Sequence, residues 1–352
     1  MKRFLLFSII ISFTSFTARS QDVTYAEKLG WPKGAKVIIL HVDDAGMSHD
    51  SNEGAINATS KGVANSMSVM MPCPWVPEIV KYLKEHPTVD AGLHLTLTAE
   101  WDNYRWVPLS GKAAVPGLVD EYGCLWPEPE DVVKHASADE IDKEIRAQLD
   151  RALTMGFVPT HLDSHMGTLF ASQAYLEKYI KLGIEKQIPV MLPGGHNSYI
   201  RANYQQREKK ALQKAGKWKD GMALSEPAAL KGAAAVGKMV WNAGLPVLDD
   251  LATDTGDNPV PDDAKNNDTA LRDFYTKEYT RTLQELKPGL TMVIMHCTQP
   301  SEIFGHISGS GTHRKGDMLA MMDPALKTYI QQQGIILTTW REVMERRKRV
   351  GR

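Results

Sequence analysis

Imidazole side chains, in two cases with carboxylates beside them, stand in four short stretches of this chain. Residues 41–46 read His-Val-Asp-Asp-Ala-Gly, 92–96 read Gly-Leu-His-Leu-Thr, 161–165 read His-Leu-Asp-Ser-His, and 295–297 read Met-His-Cys. Carboxylates and neutral imidazoles can hold a divalent cation, and the same groups move protons in hydrolysis. Each stretch alone has an ordinary reading. Asp-Asp after a strand is common turn and cap chemistry, and a lone histidine in an apolar strand is more often a satisfied core residue. The spacing of His161 and His165 would suit a helical metal pair, but a zinc-protease helix requires Glu directly after the first histidine. Leu162 stands there instead. Val158-Pro159 points to extended chain, on which residues 161, 163 and 165 share one side. Two imidazoles and a carboxylate on one buried face are costly unless paired or metallated.

The elements that must carry these residues are readable from the apolar pattern. KVIILHV (36–42) is a short continuous apolar run, as in a strand buried on both faces. Further strands are predicted at 63–71, 89–97, 157–163, 188–192, 290–296 and 335–339. Helical patterns separate them at 50–61, 75–86, 137–155, 172–187 and 268–287, with another from Pro324 and a terminal helix. Ser137 caps the third helix, and Ile141, Ile145, Leu149 and Leu153 recur every fourth residue. Repeated strand–helix units imply an α/β fold with a parallel sheet covered by helices. The pattern alone does not separate an open doubly wound sheet from a closed barrel. In both, functional groups collect at the carboxyl ends of strands, which is where all four histidine-bearing stretches fall.

Composition narrows the partners. Charge is balanced, at 41 basic against 42 acidic residues, and no basic cluster suits nucleic acid. At 352 residues the chain can bury a sizeable core. Lys2 and Arg3 precede an apolar run from Phe4 to Phe13, and Ala18-Arg19-Ser20 supplies small residues for cleavage. Residues 1–20 therefore read as a secretory signal cut near Ser20, with export to the periplasm or the extracellular space. The run is too short for a membrane span of about 20 residues, and no later segment reads as one. Residues 21–352 read as a single domain with an excursion at about 194–266 that contains some helix near 205–216 and 226–239. Residues 101–135, rich in Pro, Gly and Trp, read as an inserted loop. Cys73, Cys124 and Cys297 are too few for a disulfide scaffold. HISGSGTHRKGD (306–317) reads as a surface loop and lacks the GxSxG spacing of a serine hydrolase. Trp101, Tyr104 and Trp106 are either faces for a sugar ring or packing.

VDDAGMSHDSNEGAINATSKGVANSMSVMMPCP, VDAGLHLTLT, GFVPTHLDSH and VIMHC, in that order, resemble the YdjC-like carbohydrate deacetylases. This group includes chitooligosaccharide deacetylases. The resemblance covers about residues 36–192 and 288–345. It implies a TIM-like (β/α) barrel with fewer than eight regular units, related to the polysaccharide deacetylases, and one divalent metal ion. Carried over, Asp43 is the general base, Asp44, His94 and His165 are the metal ligands, and His296 is the general acid. His161 and Asp163 then orient ligands or substrate from behind, and Trp106 is a candidate substrate contact. The chain departs from the pattern at His41, where Asn is common, at Ala45 for Phe, at Cys297 for Pro, and in lacking further histidines after His165. These changes bear on the substrate more than on the reaction.

The expectation is thus an exported metal-dependent hydrolase that removes N-acetyl groups from a small amino sugar or oligosaccharide. Zinc or magnesium is the foremost candidate, and two imidazoles also suit cobalt or nickel. Two alternatives are a hydrolase of another ester or phosphoester on the same scaffold, and a non-catalytic sugar-binding protein that keeps the metal as structure.

Overall fold

The computed structural model describes residues 23–227, 230–253 and 258–351, so the expected leader lies outside the described residues. Seven strands are all parallel: β1 (Lys36–Ala45), β2 (Ser66–Val69), β3 (Ala91–Leu95), β4 (Leu162–Ser164), β5 (Asp250–Ala252), β6 (Gly289–Met295) and β7 (Ile336–Leu337). Six follow the order β4-β3-β2-β1-β6-β5, and β7 pairs with the start of β1. This is the α/β, TIM-like arrangement with fewer than eight units. The segment 188–194 bridges the two edges, through Val190 to Leu162 and Pro193 to Leu248. The sequence pattern predicted a full strand there. Pro189 and Pro193 lack the N–H that a ladder needs, so only single bridges form.

Helices pack outside the curled sheet. Ala138–Thr154 begins with a capping box between Ser137 and Glu140, and it buries Ile141, Ile145, Leu149 and Ala152. Each of the two isoleucines and the leucine so buried contributes roughly 1.5–3 kcal/mol. The stretch 194–266 forms helices Ser198–Lys214 and Ala233–Asn242 and then returns as β5. Its first helix starts earlier than its polarity suggested because the Asp250 carboxylate accepts from Tyr199 N and Ile200 N. The stretch read as a surface loop, 306–317, is instead largely the helix Gly311–Met321, which packs on the helices Asp268–Glu285 and His49–Ser60.

The lower end of the barrel is closed by the helix Trp340–Arg349. The Asp90 carboxylate, just before β3, accepts from Trp340 N and Arg341 N. The Trp340 ring, fully buried, stacks on His161 at 5.2 Å. Gly92 makes room for that imidazole, since a Cβ there would come within 2.5 Å of the ring. No helix of the described residues is long and apolar enough to cross a membrane.

Candidate active site

Strict alternation along β1 would send Asp43 and Asp44 to opposite faces. Two local features prevent this. The pairing of β1 with β2 shifts register between Val42 and Ala45, and Asp44 takes a left-handed backbone with φ 66°. A bulge of this kind re-aims side chains, and Asp is among the few residues that tolerate the conformation. Both carboxylates consequently face His94, with Asp44 Oδ1 at 3.3 Å and Asp43 Oδ2 at 3.7 Å from Nε2.

His165 arrives by a similar device. β4 ends at Ser164, and Met166 (φ 51°) and Gly167 (φ 66°) turn the chain left-handed. His165 Nδ1 then sits 3.4 Å from Asp44 Oδ1 and 3.2 Å from His94 Nε2. Asp44, His94 and His165 therefore converge as one buried cluster. Among the described residues, neither carboxylate oxygen of Asp44 accepts a hydrogen bond. Each imidazole turns its far nitrogen to a carboxylate, His94 Nδ1 to Asp163 at 2.7 Å and His165 Nε2 to Glu100 at 3.0 Å. Carboxylates behind histidines in this way fix the tautomer that leaves the near nitrogen free for a cation. The donor set and its geometry fit a divalent metal.

Electrostatics concentrate here. Burial would raise Asp44, but Arg314, His165 and His94 hold it well below the usual carboxylate range. Arg314 Nη1 lies 2.7 Å from Asp44 Oδ2, an ion pair without hydrogen-bond geometry. Against burial, Glu100 and Asp44 raise His165 to about 9, while Asp43 and Asp163 raise His94 well above its ordinary value. His296, at the end of β6, places Nε2 4.0 Å from Asp43 Oδ2, and its side chain is 40% exposed. Burial by the surrounding wall and the charge of Arg314 push His296 down. Its backbone N–H donates to buried Asp317, a carboxyl that burial raises to about 6.

Of the residues singled out in the sequence, Asp43, Asp44, His94, His165 and His296 thus meet at one mouth. Asp163 sits directly behind His94. His161 lies deeper, with Nε2 3.7 Å from Asp163 Oδ2 and no exposure. Trp106 is 4% exposed, donates its indole N–H to the Thr98 carbonyl, and packs edge-on to Trp101, Tyr104 and His165. Half-buried Trp101 carries the Arg314 guanidinium 5.6 Å from its ring centre. The cysteines are all free. Sequence reasoning missed Glu100 and Arg314. Glu100 follows the second histidine-bearing stretch, 92–96, by four positions. Arg314 had no local signal, because its partner lies on β1.

The sequence profile of the family described as YdjC-like protein matches residues 37–332. The chain belongs to the YdjC-like family. Among curated relatives, this YdjC-like protein is 35% identical over 156 residues to a carbohydrate deacetylase of Brevibacillus brevis, covering 44% of this chain and 59% of that one. It is 33% identical over 145 residues to a chitooligosaccharide deacetylase of Serratia marcescens, covering 40% and 53%. The chain thus spans less than two thirds of the length of these relatives. A crystal structure from Enterococcus faecalis V583, of a protein named for cellobiose-phosphate cleavage, superposes with a TM-score of 0.63 at 20% identity, over 87% of this chain and 98% of that one. That likeness establishes the fold of the YdjC-like protein and nothing of its substrate.

Proposed function

We propose that this protein is a metal-dependent N-deacetylase acting on a small amino sugar or oligosaccharide. The observation that carries the reading is the convergence of Asp44, His94 and His165, each imidazole backed by a carboxylate, beside an acid–base pair formed by Asp43 and His296. The relatives named as carbohydrate and chitooligosaccharide deacetylases support the choice of an N-acetyl sugar.

Asp44, His94 and His165 would hold the ion. When bound, it supplies Lewis acidity to polarise an amide carbonyl and to ease deprotonation of water. Asp43, outside that triad but within 3.7 Å of His94, takes the proton from the attacking water. An amine leaves poorly unless protonated, and His296, half-exposed at the mouth, delivers a proton to the departing nitrogen. Neutral in the resting site, His296 must take up that proton during the cycle, and Asp43 is its nearest carboxylate. Glu100 and Asp163 hold the two ligand imidazoles in orientation. Trp101 and Tyr104 flank the cluster, and buried Trp106 fixes the wall between them. The donor set of two imidazoles and one carboxylate suits zinc, cobalt or nickel, with magnesium as a harder alternative. The charged and apolar segments of residues 1–20 support export.

The test is acetate release from short N-acetylglucosamine oligomers by protein stripped of metal and then reloaded with zinc, magnesium, cobalt or nickel in turn. Metal-restored acetate is the expected result. Metal-restored phosphate release from phosphoesters, with no acetate, would sink the deacetylase reading. One bound ion with no turnover of either class would favour a sugar-binding role.

A further inference from the structure

Beneath the metal cluster lies a second, fully buried polar layer that the proposed reaction does not use. His41 is at its centre, with no exposure. Its Nε2 is 3.0 Å from Asp163 Oδ2, 3.2 Å from Asp43 Oδ1 and 3.1 Å from Ser68 Oγ. Its Nδ1 is 2.9 Å from Ser66 Oγ.

The protonation of His41 follows from counting hydrogens. Ser66 spends its hydroxyl hydrogen on Asp90 Oδ2, at 2.8 Å. Asp90 also accepts two backbone N–H groups, so it is an acceptor there. Ser66 Oγ therefore offers His41 only a lone pair, and Nδ1 must carry a hydrogen. Nε2 faces two carboxylate oxygens, which have no hydrogen to give, and Ser68 Oγ, which directs its hydrogen to Asp43 Oδ1 at 3.5 Å, so Nε2 must carry a hydrogen as well. An imidazole with both nitrogens protonated is a cation.

We propose that His41 is a resident imidazolium that clamps Asp43 and Asp163 together, making the catalytic base and the carboxylate behind His94 one rigid unit. Two buried carboxylates without a counter-charge would be costly to keep ionised. His41 supplies that charge from below, on the oxygens facing away from the mouth. Asp43 Oδ2 is thereby left toward His94 and His296, and Asp163 Oδ1 toward His94 Nδ1. The hydrogen bonds and charges of Asp163 and Asp43 outweigh burial and raise His41 to about 9. The neighbouring imidazole of His161, 4.9 Å away and edge-on, is pushed down by burial and by His41 itself, which leaves one cation in the layer. His41 touches neither substrate nor metal ligand. It is a positioning residue.

The consequence for turnover rests on the deacetylase reading, whereas the ion pair does not. The experiment uses the metal-loaded full chain and His41→Gln, which keeps a donor and loses the charge. Expected are a fall in kcat of about 10–100-fold, a KM within about twofold, and one metal ion per chain in both proteins. In parallel, ¹⁵N-histidine spectra of the wild type at pH 7.5 should show one imidazole with both ring nitrogens protonated, and this signal should be missing from His41→Gln. If that variant does not fold, Ser66→Ala, which removes the acceptor at Nδ1 together with the hydrogen bond to Asp90, should shift the same resonance. A neutral His41, an unchanged kcat, or a second tight metal equivalent lost in His41→Gln would each overturn the proposal. The last outcome would make His41, His161 and Asp163 a cation site. If the wild type releases no acetate, the deacetylase reading fails, and the spectra still decide the charge on His41.

Discussion

The upper cluster and the lower layer are built from the same residue types and behave oppositely. In the upper cluster, Asp44, His94 and His165 point their near atoms at one another across 3.2–3.4 Å, and the carboxylate of Asp44 accepts no hydrogen bond. In the lower layer, His41 is hydrogen-bonded on both nitrogens and the chain of contacts runs on through Ser66 to Asp90. The upper cluster turns two imidazole nitrogens and a carboxylate toward one point, as a cation requires, whereas the lower layer sets the single ring of His41 between two carboxylates. Among the described residues, Asp163 Oδ2 and His161 Nε2 in that layer also accept or donate no hydrogen bond. Burial does not distinguish them, since both are nearly inaccessible. What differs is the set of groups around each imidazole. Carboxylates behind the upper imidazoles leave the front nitrogens free, whereas serines and carboxylates in front of His41 use its hydrogens.

The sharpest way to break this contrast is to remove an upper donor. Asp44→Ala and His165→Ala should each reduce bound metal from one per chain to near zero and take turnover to background, read by metal analysis and acetate release. Next in size is Asp43→Asn, which should retain the ion and lose roughly 10²–10⁴ in kcat. Full activity in that variant would remove Asp43 from the role of base. Asp163→Asn tests whether the two regions communicate. It keeps an acceptor for His94 Nδ1 but discards the charge, and metal affinity measured by calorimetry should weaken by about 10–100-fold. The smallest expected effect concerns metal-free stability. His41 is raised from 6.5 to about 9 in the fold, so its stabilisation is complete below pH 6.5 and is lost as pH rises through about 9. Between pH 7 and 10 the thermal midpoint of metal-free wild type should therefore fall further, by a few degrees, than that of His41→Gln. His94 and His165 contribute in the same direction in both proteins and cancel in the comparison.

How much of this was legible in the sequence depended on where each partner lay. The strand ends of β1, β3, β4 and β6 were readable because each is a short apolar run that stops at an acid or an imidazole. Even so, β4 spans only Leu162–Ser164. Pro159 interrupts its approach, and His165 reaches the cluster by leaving the strand rather than by alternating along it. β5 was hidden because three residues inside a polar stretch have no period. Arg314 was hidden because a guanidinium in a glycine-rich run looks solvated until the helix Gly311–Met321 is docked against the end of β1. The orientation of Asp44 was illegible for a different reason. It depends on a single positive φ, which residue type permits but does not announce.

Asp90 has a further consequence, for the order in which the molecule is assembled. Its carboxylate joins the serine beneath His41 to the start of the helix Trp340–Arg349, which follows it by 250 positions. While the chain is being synthesised, β1 to β4 and all their acids and imidazoles exist long before that helix does. During that interval His161 lacks its stacking partner and Asp90 lacks two of its donors. The late helix is the keystone of the barrel floor. Order of synthesis and order of completion run in opposite directions here: an early strand has its acid–base chemistry finished by a helix made long after it.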